Sequence, residues 1–285
     1  MERSRFRLLD RLRVRWAEID AQHIVFNAHY LMYIDTAIAA YWRALAMPYA
    51  QTMVALGGDL FVRKASLEYL GSARYDDVLD IGVRCERVGI SSMTFAAAVF
   101  RADKAIVGGE LVYVFADPQA QAARPVPPAL REALQAFESG AAMVELRLGS
   151  WADLGDAARA IRDEVFVQEQ GIPAAMQVDS ADADGLHGVV FNRFGAAVAT
   201  ARLLQQATGV ARLGRMAVRQ PLRGSGLGRQ LLDALTQAAR ARGDSEVVAH
   251  AQVSAVPFYR AAGFAARGAE TTEAGIAHLE MVLPL

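Results

Sequence analysis

Residues 223–229, "RGSGLGR", place Gly224, Gly226 and Gly228 at alternate positions, directly ahead of a leucine-rich run with helical spacing. Glycine lets backbone N–H groups turn toward one point and lets a bulky anion approach closely. The helix that follows adds its own unpaired N–H groups and the positive end of its dipole, about half an elementary charge. Anion binding is the chemistry this pattern offers, and nucleotide phosphates or the pyrophosphate of coenzyme A are the two common guests. A Walker loop would end in Gly-Lys-Ser/Thr, whereas Gly228 is followed by Arg229 and Gln230, so that class is excluded. A dinucleotide loop wants an acidic residue about 20 positions on, and Asp244 lies near that distance. The spacing alone therefore leaves dinucleotide and coenzyme A both open.

Such a loop must hang between a strand and a helix, and the second half of the chain alternates the two. The hydrophobic periods predict a strand at 143–148, a helix from about 151 to 168, and strands near 187–192, 196–206 and 209–218. After the glycine loop and its helix come strand 246–252, helix 254–262 and a final strand pair. The first half has a different grammar. Arg11, Arg13 and Arg15 alternate with Leu12, Val14 and Trp16, which reads as a strand with one wet face. Glu2 and Asp10 interrupt the arginine run and no apolar h-region follows, against a targeting peptide. Tyr30, Leu31, Ile34, Ala37, Ile38, Tyr41, Trp42 and Leu45 trace the stripe of one well-buried helix. Four strand-like runs follow, at 59–70, 77–88, 91–102 and 104–117. In the second, Leu79, Ile81, Val83 and Cys85 face one way and Asp80, Gly82, Arg84 and Glu86 the other. One central helix with hairpin-connected strands predicts an antiparallel sheet wrapped around it, an α+β arrangement. Residues 116–130, rich in Ala, Gln and Pro, close that core, and a short helix at 128–138 leads to the boundary "ESGAAM". The expected domains are 1–140 and 143–285.

Composition narrows the classes. Apolar residues make up 53% of 285, enough for buried cores in two ordinary domains. Lys and Arg total 30 against 31 Asp and Glu, and neither half carries the basic excess of a nucleic-acid binder. No stretch has the unbroken apolar length of a membrane span. Cys85 stands alone, which rules out a disulfide framework and fits a reducing cytoplasm. His23, His29, His187, His250 and His278 show no metal-ligand spacing, so no metal site is expected.

The stretch "RLGRMAVRQPLRGSGLGRQLL" followed by "AQVSAVPFYRAAGF" closely resembles the GNAT acetyltransferase superfamily, whose Gln/Arg-x-x-Gly-x-Gly/Ala signature is met by Arg223, Gly226 and Gly228. The resemblance covers residues 143–285. "IRDEVFVQEQGIP", "DSADADGLH" and "EAGIAHLEM" are similar to the ElaA-type branch. It implies that the N–H groups from Leu222 to Arg229, including those of Gly224, Ser225, Gly226, Leu227 and Gly228, hold the pyrophosphate of acetyl-CoA or another acyl-CoA. The open edge of Met216, Ala217 and Val218 would pair with the pantetheine arm, and Tyr259 would protonate the departing thiolate. A phenol with pKa about 10 can serve a sulfur of pKa about 8.5; the plainer role for Phe258 and Tyr259 is a packed aromatic pair. Glu169, His187 and His250, with Glu164 behind them, are the candidate bases. Ser254 stands where the family often has Asn, which implies altered hydrogen bonding to the cofactor.

In the first half, "RWAEIDAQHIVFNAHYLMYIDTAIAAYWRAL" resembles hotdog-fold acyl-CoA thioesterases of the 4-hydroxybenzoyl-CoA type, over roughly residues 8–130, with "ARYDDVLDIGVRCERVG" and "GGELVYVFAD" continuing the likeness. Asp20, Asn27 and Tyr30 reproduce that family's Asp, short loop and helix opening Asn-x-x-Tyr. The resemblance implies that the helix start and Asn27 polarise a thioester carbonyl, as an oxyanion hole does. Asp20 would attack that carbonyl or activate a water; a turn-capping role is its structural alternative. His23 replaces a frequent Gly and Ile24 a frequent His. Asp35 matches an acidic position of the family.

The combined expectation is an N-terminal hotdog followed by a mixed α/β GNAT domain. Both would use acyl-CoA, one passing the acyl group to water and the other to an unidentified amine. The alternative is a thioesterase regulated by a non-catalytic, acyl-CoA-sensing GNAT-like module. Coenzyme A would be a substrate rather than a permanently bound cofactor. Because one hotdog sheet does not enclose its substrate, a homodimer or homotetramer through the first half is expected.

Overall fold

Eighteen residues, Asn27–Ala44, form helix α1 of the computed structural model, which describes residues 1–285. Its buried stripe is Tyr30, Tyr33, Ile34, Ala37, Ile38, Tyr41 and Trp42, the three-and-four spacing that turns one face of a helix to a core. Strands β1 (Leu8–Arg13), β2 (Asp59–Tyr69), β3 (Val78–Val88), β4 (Ser92–Arg101) and β5 (Lys104–Asp117) form an antiparallel sheet in the order β1-β3-β4-β5-β2 around that helix. A two-residue β6 (Ala122–Ala123) extends β5. The rings of Tyr41, Trp42, Phe95 and Phe137 meet edge to face, with centroids 4.9 to 5.7 Å apart. Each such buried side chain contributes about 1.5–3 kcal/mol. This is the antiparallel hotdog arrangement that the first half implied.

Two features differ from the expectation. A short helix α2 (Tyr49–Leu56), ending on Gly57 at φ +73°, follows α1. The expected wet face of β3 is also covered over its first half, with Asp80 7% exposed and Gly82 buried, while Arg84 is half-buried and Glu86 stays exposed. The segment ahead of β1 folds back over it. A Cβ on Gly82 would fall 2.5 Å from the Phe6 ring, while Arg3 and Arg11 bond to the Asp80 carboxylate. The hydrogen bond from Arg11, then the charge of both arginines, outweighs burial and holds Asp80 below the usual carboxylate range. The first strand stops at Arg13, so Trp16 lies outside it, 69% exposed.

The chain divides into residues 1–143 and 144–285, with helix α3 (Pro128–Glu138) closing the first unit. The second holds β7 (Val144–Gly149), α4 (Trp151–Arg162), β8 (Leu186–Asn192), β9 (Ala197–Ala207), β10 (Val210–Val218), α5 (Leu227–Arg242), β11 (Glu246–Gln252), α6 (Val256–Ala261), β12 (Ala265–Glu273) and β13 (Ile276–Pro284). Its sheet runs β12-β13-β11-β10-β9-β8-β7, with only β10 and β11 parallel. Leu227, Leu231, Leu232 and Leu235 of α5 pack on one face of the sheet, and Leu154, Ala158 and Ile161 of α4 pack against Val189 and Ala217. The expected helix at 151–168 is present, but beyond Arg162 it widens into a π-helical turn, Asp163–Glu169. Such insertions are rare and cluster at functional sites. No helix is long and apolar enough to cross a membrane.

Candidate functional site

Strands β10 and β11 pair only through Val210–Glu246 to Leu213–Ala249. Past that point β10 continues to Val218 with a bulge between Gly214 and Ala217, at which Arg215 adopts φ +51°. Bulges bend a strand and end its pairing on one side. The side of Met216, Ala217 and Val218 that faces β11 is thereby left without a ladder partner, while Ala217 and Val218 stay paired to Thr200 and Ala199 of β9. The parted strands border a cleft of about 350 Å³, lined among others by Phe166, Met216, His250, Gln252, Tyr259 and His278.

The glycine loop lies between the end of β10 and α5. Gly224 and Gly226 have φ of +81° and +88°, a backbone state that residues with a Cβ enter at a cost of about 1–2 kcal/mol. Nothing lies within 4 Å of where their Cβ atoms would be. The N–H groups of Gly224, Gly226, Leu227, Gly228 and Arg229 have no acceptor in the chain, whereas those of Leu222, Arg223 and Ser225 close the turn onto Arg219, Gln220 and Leu222 carbonyls. The expectation of donors from Leu222 through Arg229 thus narrows to five, because a turn tight enough to aim the later groups consumes the earlier ones. The Ser225 hydroxyl also donates inward, to Leu222 O at 2.6 Å. The Arg223 guanidinium grips Glu169 at 2.6 and 2.7 Å. That pair is more than a third exposed on the arginine side and so holds with about 0.2–1 kcal/mol, little enough for an arriving phosphate to displace.

Tyr259 is 6% exposed, and burial pushes its phenol up to about 12. Its hydroxyl has no better neighbour than the Met216 sulfur at 3.9 Å. A buried O–H so poorly served gains when a stronger acceptor arrives. Tyr259 also packs against Phe258 and Phe264, so the aromatic-pair role and an available hydroxyl coexist.

The candidate bases fare differently. His187 is fully buried. Its Nε2 donates to Asp182 O at 2.9 Å, its Nδ1 faces Arg162 at 3.3 Å, and burial lowers its pKa. It is a neutral structural residue remote from solvent, which corrects its inclusion among the bases. Glu164 pairs with Arg219 at 3.2 Å and Glu169 with Arg223. His250 lines the cleft with Nε2 directed at Glu280, 3.3 Å away.

Sequence patterns do not reveal the charge network beneath the cleft. Fully buried Arg162 bonds Asp182 at 2.9 Å; Arg202 reaches Asp182 at 2.8 Å and Asp179 at 2.6 Å; Arg215, in the bulge, reaches Asp179 at 2.7 Å. The hydrogen bond from Arg202, with both arginine charges, holds Asp179 at about 2. Each partner comes from a different segment, so the network fastens the bulge to β9 and to the loop before β8.

In the first unit, the loop before α1 is pinned at both ends. Phe26 N donates to Glu18 O at 2.9 Å, Ile19 bridges to Val25, and Asp20 N donates to Ile24 O at 2.9 Å. Gln22 N donates to Asp20 Oδ1 at 2.8 Å, so the turn-capping role exists, and it occupies one carboxylate oxygen. Asp20 is half-buried. His23 takes φ +59°, the left-handed state that glycine enters without the cost a Cβ imposes. The Asn27 amide is exposed, and the N–H groups of Asn27 and Ala28 have no acceptor in the chain. Tyr30 accepts Ala73 N at 2.9 Å and is a packing residue. Glu18, not anticipated from sequence, is 3% exposed. Despite burial, hydrogen bonds from Tyr33 at 2.6 Å and from the Arg15 backbone at 2.7 Å keep its carboxyl below the ordinary range.

A family model described as "Thioesterase superfamily" matches residues 22–107, and one described as "Acetyltransferase (GNAT) domain" matches residues 151–285. The "Uncharacterized N-acetyltransferase YjcF" of Bacillus subtilis (strain 168) is 35% identical over 123 residues, 43% of this chain and 86% of that protein. A protein of Aquifex aeolicus (strain VF5) named "Putative esterase" is 32% identical over 96 residues, 34% of this chain and 74% of its own. The "Acyl-CoA thioester hydrolase YbgC" of Escherichia coli O6:H1 is 26% identical over 120 residues, 42% of this chain and 89% of that protein. The chain therefore belongs to two families at once, the thioesterase superfamily through its first half and the GNAT acetyltransferases through its second.

Proposed function

We propose that one chain carries two acyl-CoA reactions: hydrolysis of thioesters in the first unit and transfer of an acetyl or other acyl group to an amine in the second. The observation that carries this reading is the run of five unpartnered N–H donors at Gly224, Gly226, Leu227, Gly228 and Arg229, beside a strand edge opened at Met216–Val218. A helix start with free N–H groups favours a diphosphate, and an open edge accepts the amides of an extended pantetheine. Tyr259, neutral at physiological pH, gives its proton to the departing thiolate. Burial raises phenol and thiol alike, as the Cys85 thiol pushed up to about 12 illustrates, so the transfer remains feasible in a dry site.

In the first unit, the free N–H groups of Asn27 and Ala28, with the Asn27 amide, stabilise the negative charge that builds on the thioester oxygen. The unengaged oxygen of Asp20 attacks the carbonyl or activates a water. Strand β2 supports assembly through this unit. It is an edge strand with a free ladder side, exposing Phe61, Val62 and Tyr69 at 46, 53 and 48%, the kind of edge that another chain can pair with. A homodimer or homotetramer acting in the cytoplasm fits this reading. The test incubates the full-length chain with a series of acyl-CoA esters, with and without a panel of amines, and follows free thiol and acylated amine. Thiol release without amine, plus acylated product with it, is the expected result. Absence of either product removes the corresponding half of the proposal.

A further inference from the structure

Acyl transfer to an amine needs a group that takes a proton from the attacking nitrogen, and most titratable residues around the cleft are already committed. Asp179 is held by two arginines and is too weak a base. Glu169 and Glu164, beside Arg223 and Arg219, do not line the cleft, His187 is sealed in the core, and His250 is turned to Glu280. Two cleft-lining groups remain, Glu273 at the exposed end of β12 and His278 on β13.

His278 is half-buried, and its Nδ1 lies 2.8 Å from Ile276 O. A carbonyl oxygen only accepts, so Nδ1 carries the proton in the neutral ring and Nε2 carries the lone pair. No acceptor or donor in the chain meets Nε2. In the sheet, His278 stands between Gln252 of β11 and Thr271 of β12, neither of them charged. The nearest charged groups on the same face of these strands are Glu280 and His250 in the next cross-strand pair on one side, with Arg267 on Glu280, and Glu273, opposite Ile276, on the other. Gln252 is fixed by its bond to Gln170 Oε1 at 3.0 Å. Cross-strand partners share a face, so His250, Gln252, His278 and Glu280 lie on one side of the sheet, the side of the cleft. As a residue type, imidazole is also the commoner general base for chemistry at neutral pH than a carboxylate.

We propose that His278 is the catalytic base of the transfer reaction, an assignment that rests on the acyltransferase reading above. The neutral amine attacks the acyl carbon, the N–C bond forms and the C–S bond breaks. The surplus proton on the nitrogen passes to His278 Nε2, and the thiolate takes the Tyr259 proton. Release of one proton from His278 to solvent and uptake of one by Tyr259 restore both groups, so the sum is amine plus thioester giving amide plus thiol.

His278→Asn tests this, because the shorter amide keeps a donor near Ile276 O and removes Nε2. With acetyl-CoA and the best amine of the panel, kcat/KM at pH 7 is expected to fall about 10²–10³-fold. The loss should shrink as pH rises and the amine deprotonates unaided, added imidazole should restore part of the rate, and Glu273→Gln should leave the pH profile unchanged. An unaltered profile in His278→Asn, or loss of the acid limb in Glu273→Gln, overturns the assignment while leaving acyl transfer standing. A full-length wild-type chain that acylates no amine overturns both readings. An NMR measurement of the His278 tautomer gives a readout independent of turnover: a proton on Nε2 in place of Nδ1 sinks the proposal, and one on Nδ1 supports it.

Discussion

In the second unit the proposed donors, the strand edge and Tyr259 all come from one sheet and its flanking helices, and they border a cleft that a single chain completes. In the first, Asp20 and the start of α1 stand on a surface loop beside strands whose outer edge is uncovered. The difference is one of closure. A GNAT-type site is assembled by a bulge and a parting of strands inside one sheet, so its geometry is fixed by local bonds such as those of Arg202 and Arg215 to Asp179. On the proposed reading, the hotdog-type site needs a second copy over β2 and a loop held from beneath by the Glu18 and Ile24 bonds. Damage should accordingly spread differently: loop and edge changes reach the first activity, whereas core and bulge changes reach the second.

Asp20→Asn breaks this comparison most sharply. An amide is neither nucleophile nor base, yet it can keep the Asx turn to Gln22, so the loop survives. Thioester hydrolysis by the full chain is expected to drop about 10³-fold or more, with amine acylation unchanged. Hydrolysis at the wild-type rate would show that Asp20 is only the cap its bond to Gln22 N already makes it.

Next in size is Glu18→Ala. It leaves the buried Tyr33 hydroxyl without its charged acceptor while Arg15 turns to solvent, and an unsatisfied buried donor costs about 1–3 kcal/mol. The first unit should melt earlier by several degrees with hydrolysis reduced, while the second keeps its midpoint. Equal midpoints in mutant and wild type would mean that the Glu18 bonds do not hold the loop.

Much of the frame was visible in the residue pattern because α1 carries a helical apolar stripe and most strands are short apolar runs separated by turn residues. The alternation assigned to β3 holds for the inward set Leu79, Ile81, Val83 and Cys85 and for Glu86, but fails at Asp80 and Gly82, which are covered by Phe6, Arg3 and Arg11 from about seventy positions away with no periodic mark. The glycine loop was legible, since three glycines before a helix have few other uses. Which of its N–H groups stay free was not, because that depends on the turn at 219–225. Glu18 carries no mark in the sequence, because Tyr33 and Arg15 reach it only in the fold. Likewise, His278 gains its meaning only when β11 and β12 flank it and Ile276 fixes its tautomer.

Tyr259→Phe probes the closed site at a smaller scale. Removing the hydroxyl leaves the aromatic packing against Phe258 and Phe264, so the fold should hold. The departing thiolate must then draw its proton from water, and acyl transfer near pH 7 should slow about 10–10²-fold, with KM for acetyl-CoA nearly constant. Wild-type turnover in this variant would leave Tyr259 with its packing role alone.

The smallest expected effect concerns how the closed unit tolerates acid. Burial holds His187 neutral in the fold, while in the unfolded chain it titrates near pH 6.5. Below that value the unfolded state binds a proton that the folded state refuses, so stability falls as pH drops, by up to about 1.4 kcal/mol per pH unit, until the folded pKa is reached. The acids around it do not add to this window: Asp179 is held at about 2 and Asp182 below its usual value, with both still ionised at pH 5.5. The second unit should lose about 1 kcal/mol between pH 7 and 5.5, measured as a denaturant midpoint, and His187→Gln, which keeps a donor for Asp182 O, should flatten that slope. A wild-type second unit equally stable at both pH values would mean that His187 accepts its proton in place, and that the charge network beneath the cleft is looser than its hydrogen bonds imply.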